Sequence, residues 1–164
     1  MKKMGIVFLF VLFVVNVQNV FGQSDPKFGF TIGIRADGWV PFIEMNINTE
    51  KVDFSLGFST SIGTTNFFWF RPYISIMPHI YSYDDFVVVV PIILSYSQRI
   101  SDEPFSWIGI HSGIQVNQSL LKNFGIVYAV EHNIINFNVY GFRFWFFDGG
   151  DLKFGTTLNG REIL

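Results

Sequence analysis

Cysteine is absent from the 164 residues. That excludes disulfide staples, thiolate nucleophiles and Cys-based zinc sites. Charge is scarce: 15% of residues are charged, where an average soluble domain carries about 25%. The formal net charge of −2 leaves no basic field for nucleic acid. Beyond the start of the chain there is no apolar run approaching the roughly 20 residues a transmembrane helix needs, so a helical bundle is excluded. No Gly-rich phosphate loop, His-x-Glu zinc spacing or acidic calcium loop occurs, and no cofactor is expected. What is present is apolar and aromatic: 49% hydrophobic, 19% aromatic and 21 Phe. Such a composition is too hydrophobic for intrinsic disorder, and the length suits one domain.

The first residues form an address. Lys2 and Lys3 precede an unbroken apolar run from Gly5 to Val15, which Asn16, Gln18 and Asn19 end. Val20-Phe21-Gly22 places modest residues before a cleavage point, completing the pattern of a secretory signal peptide over 1–22. As a helix the run would reach only about 16 Å, short of a hydrocarbon layer of about 30 Å. Gln23 cannot carry a lipid as a Cys would. The expected mature chain is a single domain over 23–164, exported from the cytoplasm.

That chain alternates with period two. In Val52–Ile62, Val52, Phe54, Leu56, Phe58 and Ile62 face one way, with Thr60 between the last two, and Asp53, Ser55, Gly57, Ser59 and Ser61 the other. No helical spacing fits this, and the segment reads as a strand with one apolar face. Further runs are expected over 27–35, 39–48, 67–80, 86–97, 105–116, 121–132, 134–147 and 151–158. In 134–147 the phase reverses, which a β-bulge at Gly141 would accommodate. Turn residues such as Ala36-Asp37-Gly38, Gly63-Thr64-Thr65-Asn66, Asp84-Asp85 and Ser101-Asp102-Glu103-Pro104 separate the runs. The stretch 117–123 reads as a connector with room for a helical turn, and His132-Asn133 as a tight hairpin turn. Connections this short imply antiparallel neighbours and an up-and-down meander. Nine runs conflict with the even strand numbers of bacterial membrane barrels. Pro72, Pro78 and Pro91 each remove a ladder donor and suggest bulges or irregular pairing.

The minor face decides between a soluble and a membrane barrel. It carries mainly Gly, Ser, Thr, Asn and Ala, which suit the lumen of a narrow barrel, while the other face carries Phe and Ile, which lipid accepts. Six ionisable residues lie in or near mid-strand: Arg35, Glu44, Asp53, Arg71, Glu131 and Arg143. All six fall on the minor face, as three cations and three anions able to neutralise one another in a lumen charge cluster. Facing lipid at the midplane, each would cost about 2–4 kcal/mol. Aromatics gather near strand ends, and Trp39, Trp69, Tyr81, Tyr83, Trp107 and Trp145 are candidates for interfacial girdles. An ordinary aromatic core is the alternative.

In these patterns the chain resembles the small outer-membrane β-barrel proteins of bacteria, over nearly all of 23–164 and without a diagnostic motif. The resemblance implies an all-β antiparallel barrel of about 8 (8–10) strands, with membrane lipid and envelope proteins as partners. An interior of that size is filled by side chains, so an open pore is not expected. The loops are shorter than such barrels usually have. The Arg161-Glu162-Ile163-Leu164 ending also departs from their frequent terminal aromatic.

Little chemistry accompanies the pattern. His111 reads as a structural lumen residue, with Ser112 beside it facing outward. Glu131-His132-Asn133 is similar to a stretch of the outer-membrane deacylases that trim lipid A. Those enzymes place a nucleophilic serine two residues after the histidine, where this chain has Ile134, so the hydrolytic arrangement fails. Asp84, Asp85, Asp148 and Asp151 read as solvated turn carboxylates. The expected function is a structural or interaction role in the outer membrane, not an enzymatic one. A secreted or periplasmic soluble barrel binding an apolar ligand is the main alternative, and a lipid-modifying enzyme a more distant one.

Overall fold

In the computed structural model, residues 27–36, 40–62, 68–100, 105–139, 143–146 and 149–158 are described. The elements are β1 (Lys27–Arg35), β2 (Val40–Asn48), β3 (Val52–Ile62), β4 (Phe68–Tyr83), β5 (Phe86–Val89), β6 (Ile92–Ile100), β7 (Phe105–Leu121), β8 (Phe124–Asn138), β9 (Arg143–Phe146) and β10 (Gly150–Leu158). All pairings are antiparallel, and β1 pairs with both β2 and β10, which closes the sheet on itself. The result is an all-β, eight-stranded closed barrel.

Ten segments make eight staves because two staves are interrupted. β5 and β6 both lie between β4 and β7, in one register: Val89 and Ile92 pair with Gln115 and Ser112 of β7. The break falls at Val90-Pro91, where the ring removes the donor. Pro72 and Pro78 sit opposite Phe58 and Val52 with no register shift. Toward β3 the prolines thus cause no slip, whereas toward β5 the register shifts between His79 and Tyr81, just after Pro78, the irregular pairing expected there. β9 and β10 form the second broken stave, both paired with β8. Gly149 and Gly150 thus follow a break inside a stave, Asp151 lies within β10, and Asp148 lies outside the described residues. Gly149 has φ of 74° there, a left-handed conformation that glycine adopts without strain.

Three sequence expectations need correction. The run 134–147 is not one strand. β8 continues to Asn138, the chain reverses, and Arg143 pairs back with Asn138, so the phase change is a hairpin and not a bulge in one strand. Gly141 itself lies outside the described residues. His132-Asn133 is no turn but lies within β8, where Ser112 and His111 of β7 pair with His132 and Asn133. The proposed connector 117–123 is mostly strand, since β7 runs to Leu121 and only Lys122-Asn123 turn. These corrections reduce nine runs to eight staves. The leader 1–22 and Trp39 lie outside the described residues, as do the side chains of Arg143 and Trp145.

One end of the barrel carries the tight turns 49–51, 84–85 and 122–123. Asp84 has φ of 40°, as two-residue hairpins demand. The other end carries the connections 36–39, 63–67, 101–104 and 139–142.

Candidate functional site

The wall is apolar outside and polar inside. Along β3, Leu56 is 52% exposed while Ser55 is 6%. Phe28, Phe30, Ile32 and Ile34 of β1 are exposed, as are Ile43, Met45 and Ile47 of β2, Ile74 and Ile76 of β4, and Ile92 and Leu94 of β6. Arg35, Glu44, Asp53, Glu131 and Lys153 are buried. A water-soluble protein arranges these classes the other way round.

Arg35, Glu44, Glu131 and Lys153 form a connected network with Asp151. Arg35 Nη1 donates to Glu131 Oε2 at 2.6 Å and to Asp151 Oδ2 at 2.8 Å. Lys153 Nζ donates to Glu44 Oε1 and lies 4.0 Å from Glu131 Oε1. Tyr73 donates its hydroxyl proton to the same Glu44 oxygen at 2.8 Å. Gly57 makes room for this contact, because a Cβ there would come within 2.6 Å of the Tyr73 ring. Both cations lie against the Phe42 ring, with Lys153 Nζ 4.9 Å and Arg35 Cζ 5.8 Å from its centroid. Each charge of the network thus meets an opposite one, the arrangement that offsets desolvation in a low-dielectric interior.

Of the six predicted cluster residues, Arg35, Glu44 and Glu131 are in this network. Asp53 lies apart, toward the tight-turn end. There His79 Nε2 approaches Asp53 Oδ1 at 3.0 Å while Nδ1 faces the Glu50 carbonyl at 2.9 Å. Arg71 donates to Ser97 Oγ at 3.0 Å. Two members were missed, Lys153 and Asp151. Lys153 stands on the minor face between Leu152 and Phe154, so period two could have found it. Asp151 was read as a solvated turn residue, but it is only partly exposed and bound to Arg35.

The remaining interior is packed. His111 is buried and 2.6 Å from Ser95 Oγ, a structural pairing inside the lumen. Met77, Val87 and Val89 form a small apolar cluster. Thr31, Asn46, Gln115, Asn117 and Thr157 are among the residues that line a cavity of about 30 Å³ toward the tight-turn end. That space suits water, not a pore or an apolar ligand. The aromatic candidates divide. Tyr81 and Tyr83 are exposed. Trp69 and Trp107 are half-buried and pack edge to face at 4.4 Å, and their register places them on the inward side with Ser97. They cap the lumen rather than face outward. Among the described residues no His/Asp/Glu group could hold a metal ion.

With this geometry in view, the solved structures it is similar to are informative. Neisserial surface protein A aligns over 82% of this chain and 95% of its own, with a TM-score of 0.57 and 13% identity. The N-terminal β-barrel domain of Pseudomonas aeruginosa OprF aligns over 81% and 96%, with a TM-score of 0.55 and 8% identity. The chain has the fold of the small bacterial outer-membrane β-barrels. No protein-family model and no curated protein sequence matches it. At these identities the likeness is one of barrel architecture.

Proposed function

We propose that the protein is an exported outer-membrane barrel with a structural or interaction role in the cell envelope, neither an enzyme nor an open pore. The observation that carries this reading is the inverted wall, with Ile, Phe and Leu exposed around the barrel and paired charges buried inside it. Residues 1–22 serve as the export signal. The tight-turn end, where Lys27 and Leu158 also lie, faces the periplasm, following the usual placement of short turns. Against a pore, Arg35, Lys153 and Phe42 obstruct the lumen. Against catalysis, the Ser95–His111 pair is buried where no lipid reaches it.

Cysteine labelling of this cysteine-free chain tests the reading. In membranes, Leu56→Cys is expected to resist a water-soluble thiol reagent and to react with a lipid-soluble one. Free labelling of Leu56→Cys by the water-soluble reagent, or recovery of the native chain in the soluble periplasmic fraction, would invert the wall and sink the proposal.

A further inference from the structure

A pair of polar side chains stands among the apolar residues of the described outer wall. Ser112 of β7 and His132 of β8 are direct cross-strand partners. Both stand on the outward side, among the exposed Ile92, Ile110, Ile114 and Val130. Directly opposed residues on neighbouring strands have Cβ atoms about 4.5–5.5 Å apart, so one small group can touch both side chains. On its other side His132 pairs with Gly150, which has no side chain to cover it. A Cβ at Gly150 would come within 2.8 Å of the imidazole Cε1, so the ring rests on bare backbone. Ala36 already bonds to Leu152, so β1 has ended at the level of Gly150, and the spot lies at the loop-end rim on that side.

The hydrogen bonding defines what the spot would take. His132 Nδ1 is 3.4 Å from the Gly149 carbonyl oxygen. A carbonyl only accepts, so Nδ1 carries a proton toward it, and in the tautomer this selects, Nε2 is an acceptor. The exposed neighbours Ile92, Ile110, Ile114 and Val130 supply no donor for it, and a polar side chain on a lipid-facing wall is a functional site by default. A carboxylate or phosphate oxygen would meet the Nε2 lone pair unfavourably, whereas a hydroxyl or amide N–H would complete it.

We propose that Ser112 and His132 form a binding site on the outer wall for a lipid bearing a neutral hydrogen-bond donor, a hydroxyl or amide N–H, close to its acyl linkages. The inference rests on the reading of the wall as lipid-facing. Ser112 Oγ acts as a second partner, accepting from or donating to the same headgroup region.

The test uses the full mature barrel in phosphatidylcholine vesicles doped with dioleoylglycerol or its 3-O-methyl ether, which lacks only the O–H. Lipid retained on the released protein is counted by native mass spectrometry. Wild type is expected to retain the hydroxyl lipid about threefold or more over the ether, the factor one net hydrogen bond supplies. His132→Leu removes the preference, and His132→Gln, which keeps an acceptor, restores part of it. Equal retention of both lipids by wild type overturns the site, as does a preference that survives in His132→Leu. If wild type fails to float with the vesicles at all, the lipid-facing wall falls and the site falls with it.

Discussion

Along β2, Phe42, Glu44, Asn46 and Asn48 turn inward and Ile43, Met45 and Ile47 turn outward. The two faces share a backbone and a register, yet opposite rules govern them. Inside, each side chain answers to a named partner: Asn46 donates to Thr31 Oγ1, and Glu44 accepts from Tyr73 and Lys153. Outside, the side chains of Ile43 and Met45 need only be apolar, because lipid chains adapt to whatever shape they present. Specificity is therefore concentrated in the lumen, and the outer wall is tolerant within its polarity class.

Substitutions on the two faces can break or sharpen that contrast. The largest effect is expected for Arg35→Leu, which leaves Glu131 and Asp151 buried without their cation. A loss of about 3–5 kcal/mol is expected, read as an earlier urea midpoint of the heat-modifiable gel band in micelles. Next is Leu56→Arg on the outer wall, expected to cost about 2–4 kcal/mol in a bilayer. Measured in urea-titrated liposomes, an unchanged midpoint would mean that this face does not meet lipid. Tyr73→Phe keeps the ring and removes one hydrogen bond to a buried carboxylate, for about 1–3 kcal/mol. The smallest effect is expected for Ile74→Ala. A comparable truncation in a soluble core costs about 2–5 kcal/mol through the cavity it leaves, but lipid fills the space here. Less than about 1 kcal/mol is expected in the same titration, and a core-like loss would show that Ile74 is packed against protein.

Much of the wall could be read in advance because its signal is local. Lys27–Arg35 alternates throughout and Val52–Ile62 does so with Thr60 as the exception, and the structure keeps both boundaries. The hairpin at 139–142 was misread because a chain reversal and a bulge leave the same trace in one dimension, a change of phase. His132-Asn133 was misplaced because polar residues in a lipid-facing strand look like a turn. The candidate cluster was half legible. Glu44, Arg35 and Glu131 share a face by period two alone. Their partner Lys153 is 109 residues from Glu44 in sequence, and no local pattern encodes which residues meet across a closed lumen.

Three things followed from the order of residues alone: the strand character of the chain, the division of each strand into two faces, and the placement of charge on the minor face. They depend on the alternation of side chains about a pleated backbone, which needs no tertiary partner. Closure into eight staves, the union of Arg35, Glu131, Asp151, Lys153 and Glu44, and the meeting of Ser112 with His132 were decided only by the tertiary structure. The physical reason is register: once β1 pairs with β10, every inward side chain has a fixed height and a fixed set of neighbours across the lumen.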